Sequence, residues 1–312
     1  MEYIGLQTQI NRNNKRSVIL LAAFPLLMIA LTWLFFFIMN NASEDPYPIE
    51  EVNQQFIQTA PVILIAVGIW FIISWFSHSS MIQRATGSRP LERITNKRVY
   101  NLVENLCISK GMTMPKLFII EDDSLNAFAS GINEKTYAVS LSRGIINKLN
   151  DQELEGVIAH ELSHIRNRDV RLLIISIIFV GIFAFVAEIA FRSLLYGGGR
   201  RNKKGNNGGA VLLIAVLGLI GYLLSLFFRF AISRKREYLA DAGAAEMTRN
   251  PRALASALRK ISDDPWIESV ERDDVAQLFI DHPRKAAKGN FLSGLFATHP
   301  PIEDRIRILE QF

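Results

Sequence analysis

Polar and apolar positions are distributed unevenly along this chain. Four long apolar runs, 18–39, 60–76, 172–195 and 210–229, alternate with polar stretches. Each approaches the length needed to cross a hydrocarbon core, about 20 helical residues for about 30 Å. The first run is too long for the apolar part of a cleaved signal peptide, and further runs follow it, so it reads as a retained helix. Flanking charge orients the first two. The tail 1–17 carries Arg12, Lys15 and Arg16, and Arg84, Arg89, Arg93, Lys97 and Arg98 follow the second run. The loop 40–59 between them holds Glu44, Asp45, Glu50 and Glu51 with no Lys or Arg. Basic flanks stay on the cytosolic side, which leaves 40–59 outside and 77–171 in the cytosol.

The third and fourth runs form a hydrophobic hairpin. Glu188 and Arg192 sit four apart near the distal end of the third, so they can pair on one helical face at the interface. The connecting segment 196–209 is rich in Gly and Asn and carries Arg200, Arg201, Lys203 and Lys204. Two full crossings would place this basic loop outside, against the positive-inside bias; a shallow or embedded hairpin avoids that, and both topologies stay open. Either way the chain returns to the side it left, and 230–312 rejoins 77–171.

The polar stretches show shorter periods. Val99 to Lys110 predicts a helix stopped by Gly111, and 116–120 and 136–141 predict strands. Between the strands lies a small-residue segment, Asn126, Ala127, Phe128, Ala129, Ser130 and Gly131. It reads either as an ordinary turn or as a sheet edge able to take an extended peptide by strand addition. Asn150 followed by Glu153 is a capping-box variant, and Val157, Ile158, Leu162 and Ile165 then recur at helical spacing. A further helix is expected over 251–261.

That capped helix carries His160-Glu161-Leu162-Ser163-His164. Residues four apart lie on one face, so both imidazoles can aim at one point. Glu161 stands at the edge of that face, where a base can take a proton from metal-activated water. Two histidines in a helix can equally be structural, so the flanking residues must decide. After the hairpin comes Glu237-Tyr238-Leu239-Ala240-Asp241. A catalytic zinc takes three protein ligands and leaves a position open. Glu237 can be the third, and Asp241, one turn on, can accept the N–H of a ligand histidine, as can Asp169. The metzincin layout is excluded, because Asn167 and Val170 stand where it needs Gly and His. His299 precedes Pro300 and Pro301 on a stiff turn; it is either an oxyanion or substrate contact or a plain loop histidine.

Composition narrows the alternatives. Hydrophobic residues make up 49% and mean hydropathy is +0.17, which is high for a soluble enzyme. The net charge of +5 comes from basic residues that mostly flank apolar runs, not from a basic stripe with interleaved aromatics, so no nucleic-acid partner is expected. One cysteine, Cys107, rules out an internal disulfide framework and cysteine-rich zinc sites, and no phosphate-binding G-x-x-x-x-G-K-[ST] loop is present. A transporter lacks enough polar residues in its spans, and a structural zinc adaptor would need a fourth protein ligand.

In this order, the N-terminal span pair, Asn126 to Ala129, His160 to His164 with Arg166-Asn167-Arg168-Asp169, the hairpin, Glu237 to Asp241 and Thr298-His299-Pro300-Pro301 resemble the HtpX family of membrane zinc metalloproteases, relatives of the CaaX prenyl proteases. The resemblance implies a polytopic α-helical membrane protein whose cytosolic zincin-like (gluzincin) α+β metalloprotease domain is split by the hairpin. It implies one Zn2+ on His160, His164 and Glu237, with Glu161 catalytic. It implies a bacterial inner-membrane endopeptidase acting on unfolded or misfolded membrane-protein segments under stress, alongside an ATP-driven membrane protease. A prenyl-protein protease would share the chemistry and differ in substrate.

Overall fold

The computed structural model describes residues 6–196, 207–263, 278–280 and 300–311. The chain divides into two compact units, one formed by Met1–Arg16, Ser77–Ile174 and Arg229–Phe312, the other by Ser17–Phe76 and Ile175–Phe228.

The second unit is helical and apolar. It is made from parts of α1 (Leu6–Asn41), α2 (Ile49–Thr86), α6 (Asp169–Tyr196) and α7 (Asn207–Thr248). Among the described residues, three helical segments, Ile10–Asn41, Ile49–Thr86 and Asp169–Ser193, are long and apolar enough to cross a membrane, and Gly209–Leu224 is a shorter apolar helix. Aromatic rings knit the unit. Phe24 stacks on Phe179 at 4.1 Å and meets Phe183 edge-on at 5.1 Å. Gly218 and Gly221 let α7 approach α6 closely: a Cβ at 221 would stand 2.3 Å from the Phe183 ring. Val18, Leu26, Ile57, Val62, Ile65 and Phe76 are exposed, an arrangement suited to lipid as solvent. Glu188 and Arg192 do pair, Arg192 Nη2 donating to Glu188 Oε1 at 2.5 Å, with both side chains exposed. The basic segment expected over 196–209 falls almost wholly outside the described residues.

The first unit holds a mixed sheet of order β1-β2-β4-β3, built from β1 (Arg89–Pro90), β2 (Lys116–Ile120), β3 (Ala127–Ser130) and β4 (Ala138–Ser142). β2 and β4 are parallel, with Leu117 opposite Val139; β3 is antiparallel to β4, with Phe128 opposite Ser140. β4 begins two residues later than the sequence pattern suggests. The 126–130 segment is a strand, not a turn. Gly131 makes the tight exit from it at φ 112, where a Cβ would stand 2.5 Å from the Thr136 carbonyl.

Helices pack on this sheet. α3 (Lys97–Lys110) ends where Gly111 adopts a left-handed conformation at φ 62, as expected of that glycine. Cys107 is buried on it, and burial pushes its thiol up to about 11, in keeping with a small inert core residue. α4 (Arg143–Lys148) leads into α5 (Asp151–Arg166), which is buried without a break from Gly156 to Ile165. The capping box is formed: Asn150 Oδ1 accepts from Glu153 N, and Glu153 Oε2 accepts from Asn150 N. α8 (Pro251–Asp263) packs against α5, with Lys260 and Ser256 both donating to Glu153 at 2.7 Å. α9 (Ile302–Leu309) packs on α8.

Candidate metal centre

α5 places His160 and His164 one turn apart in the core, and α7 brings Glu237 to them. His160 Nε2 lies 3.2 Å from His164 Nε2; Glu237 Oε2 is 3.6 Å from the former and Glu237 Oε1 is 3.6 Å from the latter. Ligand atoms of all three residues lie within 4.8 Å of one another. α7 is a continuous helix from the apolar segment through Glu237, so the third residue arrives without an intervening loop.

The outer nitrogens are also accounted for. His160 Nδ1 faces Asp241 Oδ1 at 3.0 Å, and His164 Nδ1 faces Asp169 Oδ2 at 3.3 Å. A carboxylate fixes the proton on the nitrogen it faces, so both Nε2 lone pairs turn inward. With both rings neutral, the two lone pairs 3.2 Å apart, with a carboxylate beside them, call for a cation between them, a proton in the bare protein or a metal ion in its place. Two imidazoles and one carboxylate form the donor set of a catalytic zinc, and the residues present fit that ion.

Glu161 is 1% exposed, and its Oε2 is buried without a hydrogen-bond partner among the described residues. Burial, assisted by Glu237, pushes its carboxyl above the ordinary range; the two imidazoles and a backbone hydrogen bond from Ala129 pull the other way without cancelling this. The cavity beside it measures about 20 Å³ and is lined by Ala129, Glu161, His164, Glu237, Phe279 and Ile280, among others.

Asn126 to Ala129 reach the site, but not as an exposed edge. All four are buried. Ile280 N donates to Ala127 O at 2.9 Å, Phe279 bridges to Phe128, and their rings meet at 4.7 Å. A piece of this chain therefore occupies the strand edge that one of the two sequence readings left open to a peptide. His299 lies outside the described residues.

Sequence reasoning missed a buried charge at the site. Arg305 on α9 is 1% exposed and forks onto Asp241, Nε donating to Oδ2 at 2.9 Å and Nη2 to Oδ1 at 2.8 Å. It also reaches the Ile280 carbonyl at 3.3 Å and Glu237 Oε2 at 3.7 Å. Burial alone would raise the Asp241 carboxyl, but Arg305, with His160, holds it down at about 2. Burial likewise opposes protonation of His160, and Asp241 and Glu237 overcome it, lifting the imidazole to about 9. A signal for Arg305 existed: Ile302, Ile306 and Leu309 form an apolar stripe, and Arg305 falls on it.

The sequence model of peptidase family M48 matches residues 93–312. A protein named Protease HtpX homolog from Bacteroides fragilis is 62% identical, the alignment covering all of both chains. Homologs of the same name from Lactobacillus acidophilus (34% identical, 98% of this chain and 99% of that one) and Listeria monocytogenes (41%, 80% and 85%) also match. Among solved structures, the crystal structure of S. mikatae Ste24p aligns with a TM-score of 0.47 at 19% identity, over 90% of this chain and 61% of that one. Full-length identity of this order, added to the convergence of His160, His164 and Glu237, identifies a membrane metalloprotease: the chain belongs to peptidase family M48, among the HtpX proteases.

Proposed function

We propose that this protein is a zinc-dependent endopeptidase of the bacterial inner membrane that cleaves misfolded or damaged membrane proteins, with Zn2+ held by His160, His164 and Glu237. The observation that carries the reading is the unpartnered, buried Oε2 of Glu161 beside the converging Nε2 atoms. Bound there, zinc supplies positive charge that polarises the scissile carbonyl and makes water acidic enough to deprotonate near neutral pH. Glu161 accepts the proton of the attacking water and gives it to the leaving amine; its raised basicity suits both steps. Asp241 and Asp169 hold the two imidazoles in the tautomer that binds metal. His299 is assigned, on its place before Pro300, to donate to the developing oxyanion.

An unfolded segment is recognised through its backbone along β3, competing there with Leu278–Ile280. Backbone pairing does not select side chains, which suits varied damaged substrates. The basic flanks of the first two apolar runs support an N-terminus, C-terminus and active site on the cytosolic side. An ATP-driven membrane protease working in parallel, and the stress role, follow from the family resemblance.

The decisive experiment is Glu161→Gln in the purified full-length protein. It should retain one zinc per chain and lose cleavage of an unfolded membrane protein by about 10²–10⁴-fold. Undiminished cleavage ends the proposal. Cleavage of prenylated peptides in preference to unfolded membrane segments would instead favour a CaaX-type protease.

A further inference from the structure

The first turns of α1 carry a side chain that the chemistry above leaves unused. Asn13 is fully buried, although Asn11, Arg12 and Lys15 around it are exposed. Its Nδ2 donates to Asp169 Oδ1 at 2.5 Å and to the Asn167 carbonyl at 2.8 Å. The other oxygen of the same carboxylate, Asp169 Oδ2, faces His164 Nδ1. The next residue, Asn14, accepts from Arg168 Nη1 at 3.2 Å. Both residues of the turn between α5 and α6, and the first residue of α6, are thus held by two consecutive residues of α1, and Arg236 Nη1 adds a contact to the Asp169 carbonyl at 3.4 Å.

That turn needs holding. Arg168 sits at φ 59, a left-handed conformation unfavourable for a side chain other than glycine. Such a residue persists when its surroundings over-determine it. The Asp169 side chain is 1% exposed, and a buried carboxylate keeps one orientation only while donors fix it. An amide NH2 offers two hydrogens, and here there are two acceptors for them. An aspartate at 13 would offer none and set a second charge against Asp169. A serine is shorter and offers one.

We infer that Asn13 is a positioning residue of the metal centre. It orients Asp169, which orients the His164 ring so that Nε2 faces His160 and Glu237. The inference rests on the proposed metal site and goes beyond the family match, whose matched region starts at residue 93 and so excludes Asn13. It makes the N-terminal helix part of the catalytic apparatus, not only an anchor.

The test uses the full-length protein in nanodiscs. Zinc affinity is read by chelator competition, the visible absorption of the Co2+-substituted protein reports the ligand field, and the thermal midpoint of chelator-stripped protein reports the fold. Asn13→Ala should weaken zinc binding about tenfold, in the range found for partners of metal ligands, and alter the Co2+ spectrum. Asn13→Asp should weaken it further, and Arg12→Ala should match the parent protein in all three. In an Asp169→Asn background, Asn13→Ala should cost no more affinity. Parent affinity and spectrum in Asn13→Ala would overturn the inference. So would a loss that adds in full to that of Asp169→Asn, because Asn13 would then be a latch for the fold alone. Should Asn13→Ala fail to fold, Asn13→Ser replaces it, with intermediate affinity expected and unchanged affinity counting against. Stoichiometric zinc in His164→Ala would bring down the metal-site reading itself, a result distinct from any behaviour of Asn13.

Discussion

Glu237 and Asp241, one helical turn apart on α7, reach opposite nitrogens of the same imidazole: Glu237 faces His160 Nε2 at 3.6 Å and Asp241 faces Nδ1 at 3.0 Å. One side chain completes the ligand set while its neighbour fixes the ring. Their substitutions should therefore separate. Glu237→Gln is expected to abolish stoichiometric zinc, and Asp241→Asn to weaken it by about 10–100-fold. Metal analysis after dialysis against graded chelator distinguishes the two, and equal losses would show that the division of labour is wrong. Asp241→Asn also takes from the buried Arg305 the carboxylate it forks onto, a cost of up to about 3–5 kcal/mol that Arg305→Met in the same chain should partly relieve.

Metal removal should expose a pH dependence. In stripped protein His160 titrates near 9 instead of 6.5, because Asp241 and Glu237 outweigh the effect of burial. A group raised on folding stabilises fully below its unfolded value of 6.5 and stops doing so as pH rises through about 9. Asp241 behaves in the opposite sense: held at about 2 against 3.8, it stabilises above 3.8 and less as pH falls through about 2. Stripped protein should accordingly lose thermal stability between pH 7 and 9. Zinc requires the neutral ring, so it should restore stability most at the alkaline end and release a proton on binding at pH 7. Scanning fluorimetry with and without chelator, and calorimetry in buffers of different ionisation enthalpy, check both halves.

Glu153 is a test of the helix that presents the histidines. It caps α5 through Asn150 and anchors α8 through Ser256 and Lys260. Burial works to raise its carboxyl, but Lys260, Ser256 and the Asn150 N–H prevail and lower it. Glu153→Ala should destabilise by about 2 kcal/mol at pH 7. Its depressed pKa means the ionic part of that difference is present above the unfolded value and shrinks as the pH is lowered through the folded one. A midpoint difference that stays constant down to acid pH would contradict this.

Gly243 sits two residues beyond Asp241, where a Cβ would stand 2.6 Å from Ser163 Oγ and 3.0 Å from its Cβ. Ser163 adjoins His164, and its hydroxyl is engaged with the Ala159 carbonyl at 2.8 Å. Gly243→Ala should push α7 from α5, costing about 1–3 kcal/mol and weakening zinc binding with it. A variant with the parent's midpoint and metal affinity would show that this contact yields freely.

Local rules carried much of this structure in plain sight. Asn150 with Glu153, Gly111, the four-residue spacing of His160 and His164, and that of Glu237 and Asp241 each depend on neighbours within one or two turns, so the sequence displays them. β3 was harder, because Ala127, Phe128, Ala129 and Ser130 are all buried and show no alternation of apolar and polar positions. Arg305 sits among Glu303, Asp304 and Arg307, which read as a solvated charged face and mask its place on the apolar stripe of Ile302, Ile306 and Leu309. Asn13 looks like one polar residue of a basic tail; its partner Asp169 is 156 positions away, beyond the reach of any periodicity. What stayed hidden is long-range polar contact, set by the tertiary fold and not by local preference.

The space beside Glu161, about 20 Å³, has a last implication. A single water needs roughly 10–15 Å³, so this space admits one. Leu278, Phe279 and Ile280 form part of the wall, tied to Ala127 on one side and to Arg305 on the other. On the proposed reading, a substrate strand pairing with β3 would have to displace this stretch before reaching Glu161. A polypeptide supple enough to take over that backbone pairing would then be admitted ahead of a folded neighbour in the same bilayer.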